Sequence, residues 1–334
     1  MKPIISREVR MVSRPLVRPA LSDFEVVETE LSTLQPGQLL VRNIYMSLDS
    51  YMQARMLEAG AAIPAFKLGE PLEGAAVGEV VASAASGYAP GDAVTSMLGW
   101  REYFVASPSL VRRVDRNIQP LSAYLGVLGG PGLTAWAGLR VAEVRADEHV
   151  FVSAAASAVG SLAGQLAKLG GCHVYGSTRS REAALTLVRD LGFDAAFSDT
   201  SADLLHELEA AAPHGVDVYF DAVGGAPLEA VLAAMRPRGR IVTSGAIAAL
   251  SLPLQLQDPR ARALFISKGL TITGFRVSDW ASLARIFQQV VGEHWMEGRL
   301  RANETIVAGI ERAPEAFIEL LRDDSGGKVL VRLT

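Results

Sequence analysis

The sequence predicts an α/β chain of two domains, a mostly antiparallel β domain followed by a doubly wound parallel sheet with helices on its faces. A length of 334 residues with 49% apolar content is more than one core ordinarily holds. Up to about residue 120 the chain reads as short apolar runs broken by turns, the pattern of antiparallel strands. From about residue 121 strand-like and helix-like stretches alternate, the pattern of a parallel sheet with right-handed crossovers.

In the first part, a strand is expected at residues 39–44 after the Pro36-Gly37 turn, and another at 75–82. Tyr88-Ala89-Pro90-Gly91-Asp92 then forms a turn into Ala93-Val94. In the second part, Val150-Phe151-Val152 reads as a buried strand followed by a helix at 159–169. His173-Val174-Tyr175 leads to a helix around 182–191, and residues 216–220 and 240–242 repeat the strand theme. The tail carries a helix at 313–321, a Ser325-Gly326-Gly327 turn and a strand at 329–333, which is expected to return to the first domain.

Composition narrows the function. A formal net charge of −4 with no basic cluster points away from nucleic acid and from an anionic membrane surface, and toward a small-molecule partner. The amino terminus breaks its apolar residues with Arg and Glu, so no signal-peptide core is expected and the protein is read as cytoplasmic. The uncharged stretch 117–139 raises the question of a membrane span, but Pro120, Pro131 and Gly129-Gly130 would break a spanning helix. Cys172 is the single cysteine and is expected inside a strand as a small core residue. Five histidines, none at metal-pair spacing, make a zinc site an unexpected feature.

After the strand at 150–152 comes Ser153-Ala154-Ala155-Ala156-Ser157-Ala158-Val159-Gly160-Ser161. A dinucleotide turn needs small residues for a tight bend, for close backbone approach to a pyrophosphate and for helix packing, and Ala155, Ser157 and Gly160 fall at those places. Two of the three usual glycines are absent. The helix beginning near Ala158 aims its unpaired amides toward a phosphate. Roughly twenty residues after the fingerprint, where an NAD enzyme carries an acid for the ribose hydroxyl, the chain has Ser177-Thr178-Arg179-Ser180-Arg181. Two guanidiniums suit a 2′-phosphate and indicate NADPH; the competing reading is a solvated loop with ordinary surface arginines.

At this point a family becomes recognisable. Ser47-Leu48-Asp49-Ser50-Tyr51-Met52, Leu68-Gly69-Glu70-Pro71, Gly99-Trp100-Arg101-Glu102-Tyr103, Gly130-Pro131-Gly132-Leu133-Thr134-Ala135-Trp136 and Val218-Tyr219-Phe220-Asp221-Ala222-Val223-Gly224-Gly225 follow in order. So do Gly239-Arg240-Ile241-Val242, Gly245-Ala246-Ile247 and Ala313-Pro314-Glu315-Ala316-Phe317. The chain resembles the zinc-independent prostaglandin/leukotriene reductases and alkenal double-bond reductases of the medium-chain dehydrogenase/reductase superfamily, nearly end to end. The resemblance implies a GroES-like domain at residues 1–120 completed by 305–334, a Rossmann NADPH-binding domain at 121–304, and a homodimer through Rossmann edge strands. It also implies that the nicotinamide lies near Thr134, Gly245, Ala246, Ile247, Phe275 and Val277, with Ser325 at the nicotinamide end; Ser157, Ala158, Val159, Gly160, Thr178, Arg179 and Arg181, read from the fingerprint and the loop after it, complete the cofactor set.

Several positions depart from the family pattern. Ser157 stands at the middle glycine, Ala183 at a lysine that commonly meets the 2′-phosphate, Ala222 at an asparagine, Leu250 at a tyrosine and Ser325 at a tail asparagine. The activity implied is NADPH-dependent reduction of an enone or enal, with hydride to the β-carbon, stabilisation of the enolate and protonation of the α-carbon. Tyr51 is the candidate donor to the carbonyl oxygen; the other reading makes it a wall of the pocket, with the proton coming from water or the cofactor ribose. Asp49 reads as a turn-stabilising Asx group. NADPH quinone reduction and non-catalytic NADPH binding are the alternatives.

Overall fold

The computed structural model describes residues 3–57, 64–222, 226–244, 258–322 and 327–333. The chain forms two compact units, one from Met1–Leu125 with Glu304–Asp323 and Lys328–Thr334, the other built on Gly126–Asn303.

In the first unit β1 (Ile5–Met11) pairs antiparallel with β2 (Phe24–Glu30). A larger sheet is centred on β3 (Leu39–Leu48), which pairs antiparallel with β4 (Ala76–Ser83); β5 (Ala93–Ser96) joins β4. β6 (Tyr103–Ala106) lies on β3 and β7 (Val111–Arg113) on β5. Short helix α1 (Tyr51–Met56) follows β3 directly.

The second unit alternates strand and helix. Helix α2 (Gly130–Val141) precedes β8 (His149–Val152), α3 (Ala158–Leu169), β9 (His173–Thr178), α4 (Arg181–Leu191) and β10 (Ala195–Ser198). Then come α5 (Leu204–Ala211), β11 (Val216–Asp221), α6 (Ala226–Ala234), β12 (Met235–Ser244), α7 (Pro259–Ser267), β13 (Thr271–Phe275) and α8 (Ala284–Met296). All six strands are parallel, in the order β10-β9-β8-β11-β12-β13. This is the dinucleotide-fold order, with the chain reversing direction across the sheet between β8 and β11. Val150, Phe151, Val152, Val218, Tyr219 and Phe220 are fully buried, as central strands covered on both faces must be. Helix α4 starts at the Ser180 cap and stops at Gly192, whose φ of 76° supplies the left-handed end.

The tail returns to the first unit. β14 (Glu304–Ala308), α9 (Ala313–Arg322) and β15 (Lys328–Arg332) follow one another, and β15 pairs antiparallel with β3 and parallel with β14. Phe317 of α9 meets Trp100 edge-on at 5.8 Å, and Trp100 stacks on Phe24 at 6.3 Å, so the tail completes that core. Cys172 is buried but sits one residue before β9, outside any strand, where its Sγ donates to the Arg145 carbonyl at 3.2 Å. The expected Ser325-Gly326-Gly327 turn lies in part outside the described residues.

Candidate functional site

The turn after β8 is held on both sides by its neighbours. Ser153 N–H donates to Phe220 O of β11 at 3.1 Å, and Ala155 N–H to Ser177 O of β9 at 2.8 Å. Between them Ala154 takes a φ of 45°, a region that residues with a Cβ rarely enter. Gly160 is required by packing: a Cβ there would lie 2.4 Å from Ala154 O. Ser157 caps α3, its Oγ accepting from Gly160 N at 3.1 Å, so the helix begins at Ala158. Ala158, Val159 and Gly160 form the first turn. The helix amides there make an anion-binding end, although one of them is engaged by Ser157.

One strand away, β9 ends at Thr178, which is 2% exposed. Arg179 and Arg181 follow as exposed residues around the Ser180 cap, with half-buried Ala183 two positions on. Because β8 and β9 are parallel neighbours, the fingerprint turn and the two arginines stand at the same, carboxyl edge of the sheet. This cradle of small residues, helix amides and guanidiniums fits a dinucleotide bearing a 2′-phosphate.

Other predicted cofactor residues lie elsewhere in the second unit. Thr134 is in the first turns of α2, its hydroxyl donating to Gly130 O at 2.8 Å. Phe275 ends β13 and Val277 begins the 3-10 turn Val277–Leu283. The Phe275 ring packs at Gly138 of α2, where a Cβ would come 3.1 Å from its Cζ. Gly245, Ala246, Ile247, Leu250 and Ser325 lie outside the described residues.

In the first unit Tyr51 opens α1, half-buried against the core that holds Met52, Met56 and Trp100. Burial first, and then the charge of Asp49, push its phenol well above the ordinary tyrosine range, so it is a hydrogen-bond donor at neutral pH. Asp49 differs from the expected Asx turn group. Its Oδ1 pairs with Lys328 Nζ at 2.6 Å and its Oδ2 accepts from the Ser47 hydroxyl, so one of its two partners is local and the other comes from the far end of the chain.

Sequence reasoning missed Lys328, 4% exposed, and the buried trio Ser153, Tyr219 and Asp221. Tyr219 and Asp221 were read only within a family motif and Ser153 only within the fingerprint turn, while Lys328, just ahead of the strand expected at 329–333, was not singled out. Among the described residues no group of three or more His, Cys, Asp or Glu is arranged to hold a metal ion, and no helix is long and apolar enough to cross a membrane.

Residues 7–114 match the family model described as the N-terminal domain of oxidoreductase, and residues 158–292 the one described as zinc-binding dehydrogenase. The chain is 36% identical to the NADP(+)-dependent 2-alkenal reductase of Nicotiana tabacum, over 95% of this chain and 94% of that one. It is 36% identical to prostaglandin reductase 1 of Rattus norvegicus, covering 94% and 95% of the two chains. The crystal structure of CurA from Vibrio vulnificus in complex with NADPH superimposes with a TM-score of 0.89 at 29% identity, covering 98% of this chain and 99% of that one.

A two-unit chain with a six-stranded dinucleotide sheet and a β unit closed by its own tail has the architecture of a medium-chain dehydrogenase/reductase. The chain belongs to that family, in the branch of the prostaglandin reductases and alkenal double-bond reductases.

Proposed function

We propose that the protein is an NADPH-dependent reductase of the carbon–carbon double bond of α,β-unsaturated carbonyl compounds. The observation that carries this reading is the carboxyl edge of the parallel sheet. There the fingerprint turn stands beside Thr178, Arg179 and Arg181, with no carboxylate in the Ser177-Thr178-Arg179-Ser180-Arg181 segment. The NADP(+) dependence in the name of the tobacco relative and the NADPH complexed in the Vibrio structure support the cofactor, and the enal and prostaglandin relatives support the substrate class.

In this reading residues 121–304 bind the cofactor, and residues 1–120 with 305–334 carry the substrate-binding and catalytic part. Ala158, Val159 and Gly160 face the pyrophosphate at the end of the helix that Ser157 caps, and Thr178, Arg179 and Arg181 hold the adenosine 2′-phosphate. Thr134, Phe275 and Val277, with Gly245, Ala246, Ile247 and Ser325, serve the nicotinamide end. When bound, NADPH supplies the hydride that reaches the β-carbon. Tyr51, held neutral by burial, donates its phenolic hydrogen to the carbonyl oxygen and so stabilises the enolate as charge develops there. A homodimer is part of the same proposal.

The test is steady-state oxidation of NADPH and NADH with a panel of enones, enals and quinones, in the wild type and in Arg179→Ala/Arg181→Ala. The expected result is enone turnover with NADPH preferred, and a loss of about a hundredfold or more in kcat/KM for NADPH in the double variant, NADH being little affected. A wild-type preference for NADH, or equal loss with both cofactors, rejects the cofactor assignment. Turnover of quinones alone makes the protein a quinone reductase, and no turnover at all makes it a binding protein.

A further inference from the structure

Asp221 closes β11 with no solvent exposure, and Tyr219 and Ser153 beside it are equally inaccessible. Asp221 Oδ1 accepts from Tyr219 Oη at 2.8 Å and from Ser153 Oγ at 3.1 Å. Ser153 Oγ itself accepts the Ala222 N–H at 2.9 Å, which leaves its single hydrogen directed at the carboxylate. The backbone of Ser153 is also tied to this strand through Phe220 O. Burial, followed by the charge of Asp221, raises the Tyr219 phenol well above its ordinary range, so Tyr219 keeps its phenolic hydrogen and donates it to Asp221.

A fully buried carboxylate is expensive to place in a parallel sheet, where an apolar residue would pack as well. Its location suggests what it contributes. β8 and β11 flank the point at which the strand order reverses, and Ser153 is the first residue of the fingerprint turn. The next residue, Ala154, holds a φ of 45° without being glycine, and its carbonyl is the atom against which Gly160 of α3 packs. Such a conformation persists only where its surroundings over-determine it. Ser153 is gripped from β11 by its amide and by both hydrogen-bonding functions of its hydroxyl, and Ala155 is gripped from β9.

We infer that Asp221, acting through Ser153 and supported by Tyr219, is a positioning residue for the dinucleotide: it holds Ala154 in the left-handed conformation and thereby keeps the amino end of α3 aimed at the pyrophosphate. The inference rests on reading residues 153–160 as the dinucleotide turn. Asp221 touches no ligand in this role, and its effect falls on cofactor affinity. The tie also accounts for how an alanine-rich turn stands where glycines are usual, since the rigidity comes from the adjacent strand.

Ser153→Ala removes the hydroxyl with little change of shape, and Ala154→Gly supplies the left-handed conformation without steric resistance. The experiment measures NADPH dissociation constants by fluorescence titration, kcat at saturating NADPH and the thermal midpoint. The variants are Ser153→Ala, Ala154→Gly, their double variant and Asp221→Asn. Ser153→Ala is expected to weaken NADPH about tenfold, the effect of one hydrogen bond to a charged group, with kcat at saturation within about twofold. In the Ala154→Gly background the same change should weaken binding less than about threefold, because the turn no longer needs the tie. A loss equal in both backgrounds, or a lower thermal midpoint with unchanged affinity, overturns the inference and leaves Asp221 a purely structural residue. Absence of NADPH affinity in the wild type would instead remove the reading of the turn on which the inference rests. Should Asp221→Asn fail to fold, the two-background comparison at Ser153 still decides.

Discussion

Lys328 Nζ lies 2.6 Å from Asp49 Oδ1 and 2.8 Å from Leu48 O, joining the start of the last strand to the end of β3. The lysine side chain is 5% exposed and the carboxylate 21%, so water competes only from the Asp49 side. Breaking such a pair by removing one partner leaves a charge without compensation, whereas removing both does not. Lys328→Met is expected to lower the unfolding free energy by about 2–3 kcal/mol, and Lys328→Met/Asp49→Asn by clearly less than the sum of the single changes. Urea unfolding of the four proteins checks this; additive losses would show that the two groups do not act as a pair.

Tyr51 should resist titration. Its folded-state phenol is raised above the unfolded value of about 10, so the stabilisation it gives is fully present below that pH and is lost as pH rises through the folded value. In native protein at about pH 11, tyrosinate absorbance near 295 nm should be the same in wild type and Tyr51→Phe. After denaturation the wild type should show one more tyrosinate. A difference already present in the native proteins would mean that the phenol is hydrated. The same variant is expected to reduce turnover on enones more than it changes NADPH affinity, because the missing hydrogen bond acts on developing charge.

Cys172 is expected to be inert. Burial comes first among the causes that push its thiol up to about 11, and the nearby Glu148 carboxylate adds to it, so little thiolate exists near neutrality. Iodoacetamide at pH 8 should leave the native protein unmodified, with one thiol appearing in denaturant. Rapid native labelling accompanied by loss of activity would assign Cys172 a chemical role.

The parts of the fold that sequence made legible are those governed by local pattern. The buried runs at 150–152 and 216–220 fall inside β8 and β11, and the stretch at 159–169 is α3 from its second residue. Strand β3 runs to Leu48, past the expected Ile44, because Tyr45, Met46, Ser47 and Leu48 pair with β15, a partner that periodicity cannot reveal. β12 begins at Met235, well before Arg240, since Pro237, Gly239 and an Arg238 with φ of 65° look like a turn while the register shifts against β11. The turn after β8 and the segment with Arg179 and Arg181 could be picked out from spacing alone. The ties Ser153 to Asp221 and Asp49 to Lys328 could not, because each joins positions 68 and 279 residues apart, respectively.

Ser157 permits the sharpest test of how this turn departs from a glycine fingerprint. Its Oγ accepts from Gly160 N at 3.1 Å, which completes the cap of α3 but engages an amide at the end of the helix where a pyrophosphate oxygen would bind. Binding an anion at that amide therefore requires the serine side chain to release it. Ser157→Gly removes the competitor, and glycine is itself a tolerable cap, so the stability loss should be only a few tenths of a kcal/mol. NADPH affinity should rise by about three- to tenfold, corresponding to roughly 1 kcal/mol for one amide released from an internal hydrogen bond. Ser157→Ala frees the same amide but loses about 1 kcal/mol of helix capping, so it should gain affinity while lowering the thermal midpoint more than the glycine variant. Titration of both variants with NADPH, alongside their melting curves, separates the two effects. Weaker binding in both variants would show that the Ser157 hydroxyl itself donates to the phosphate, because only the removal of a direct hydrogen bond to the ligand outweighs an amide set free.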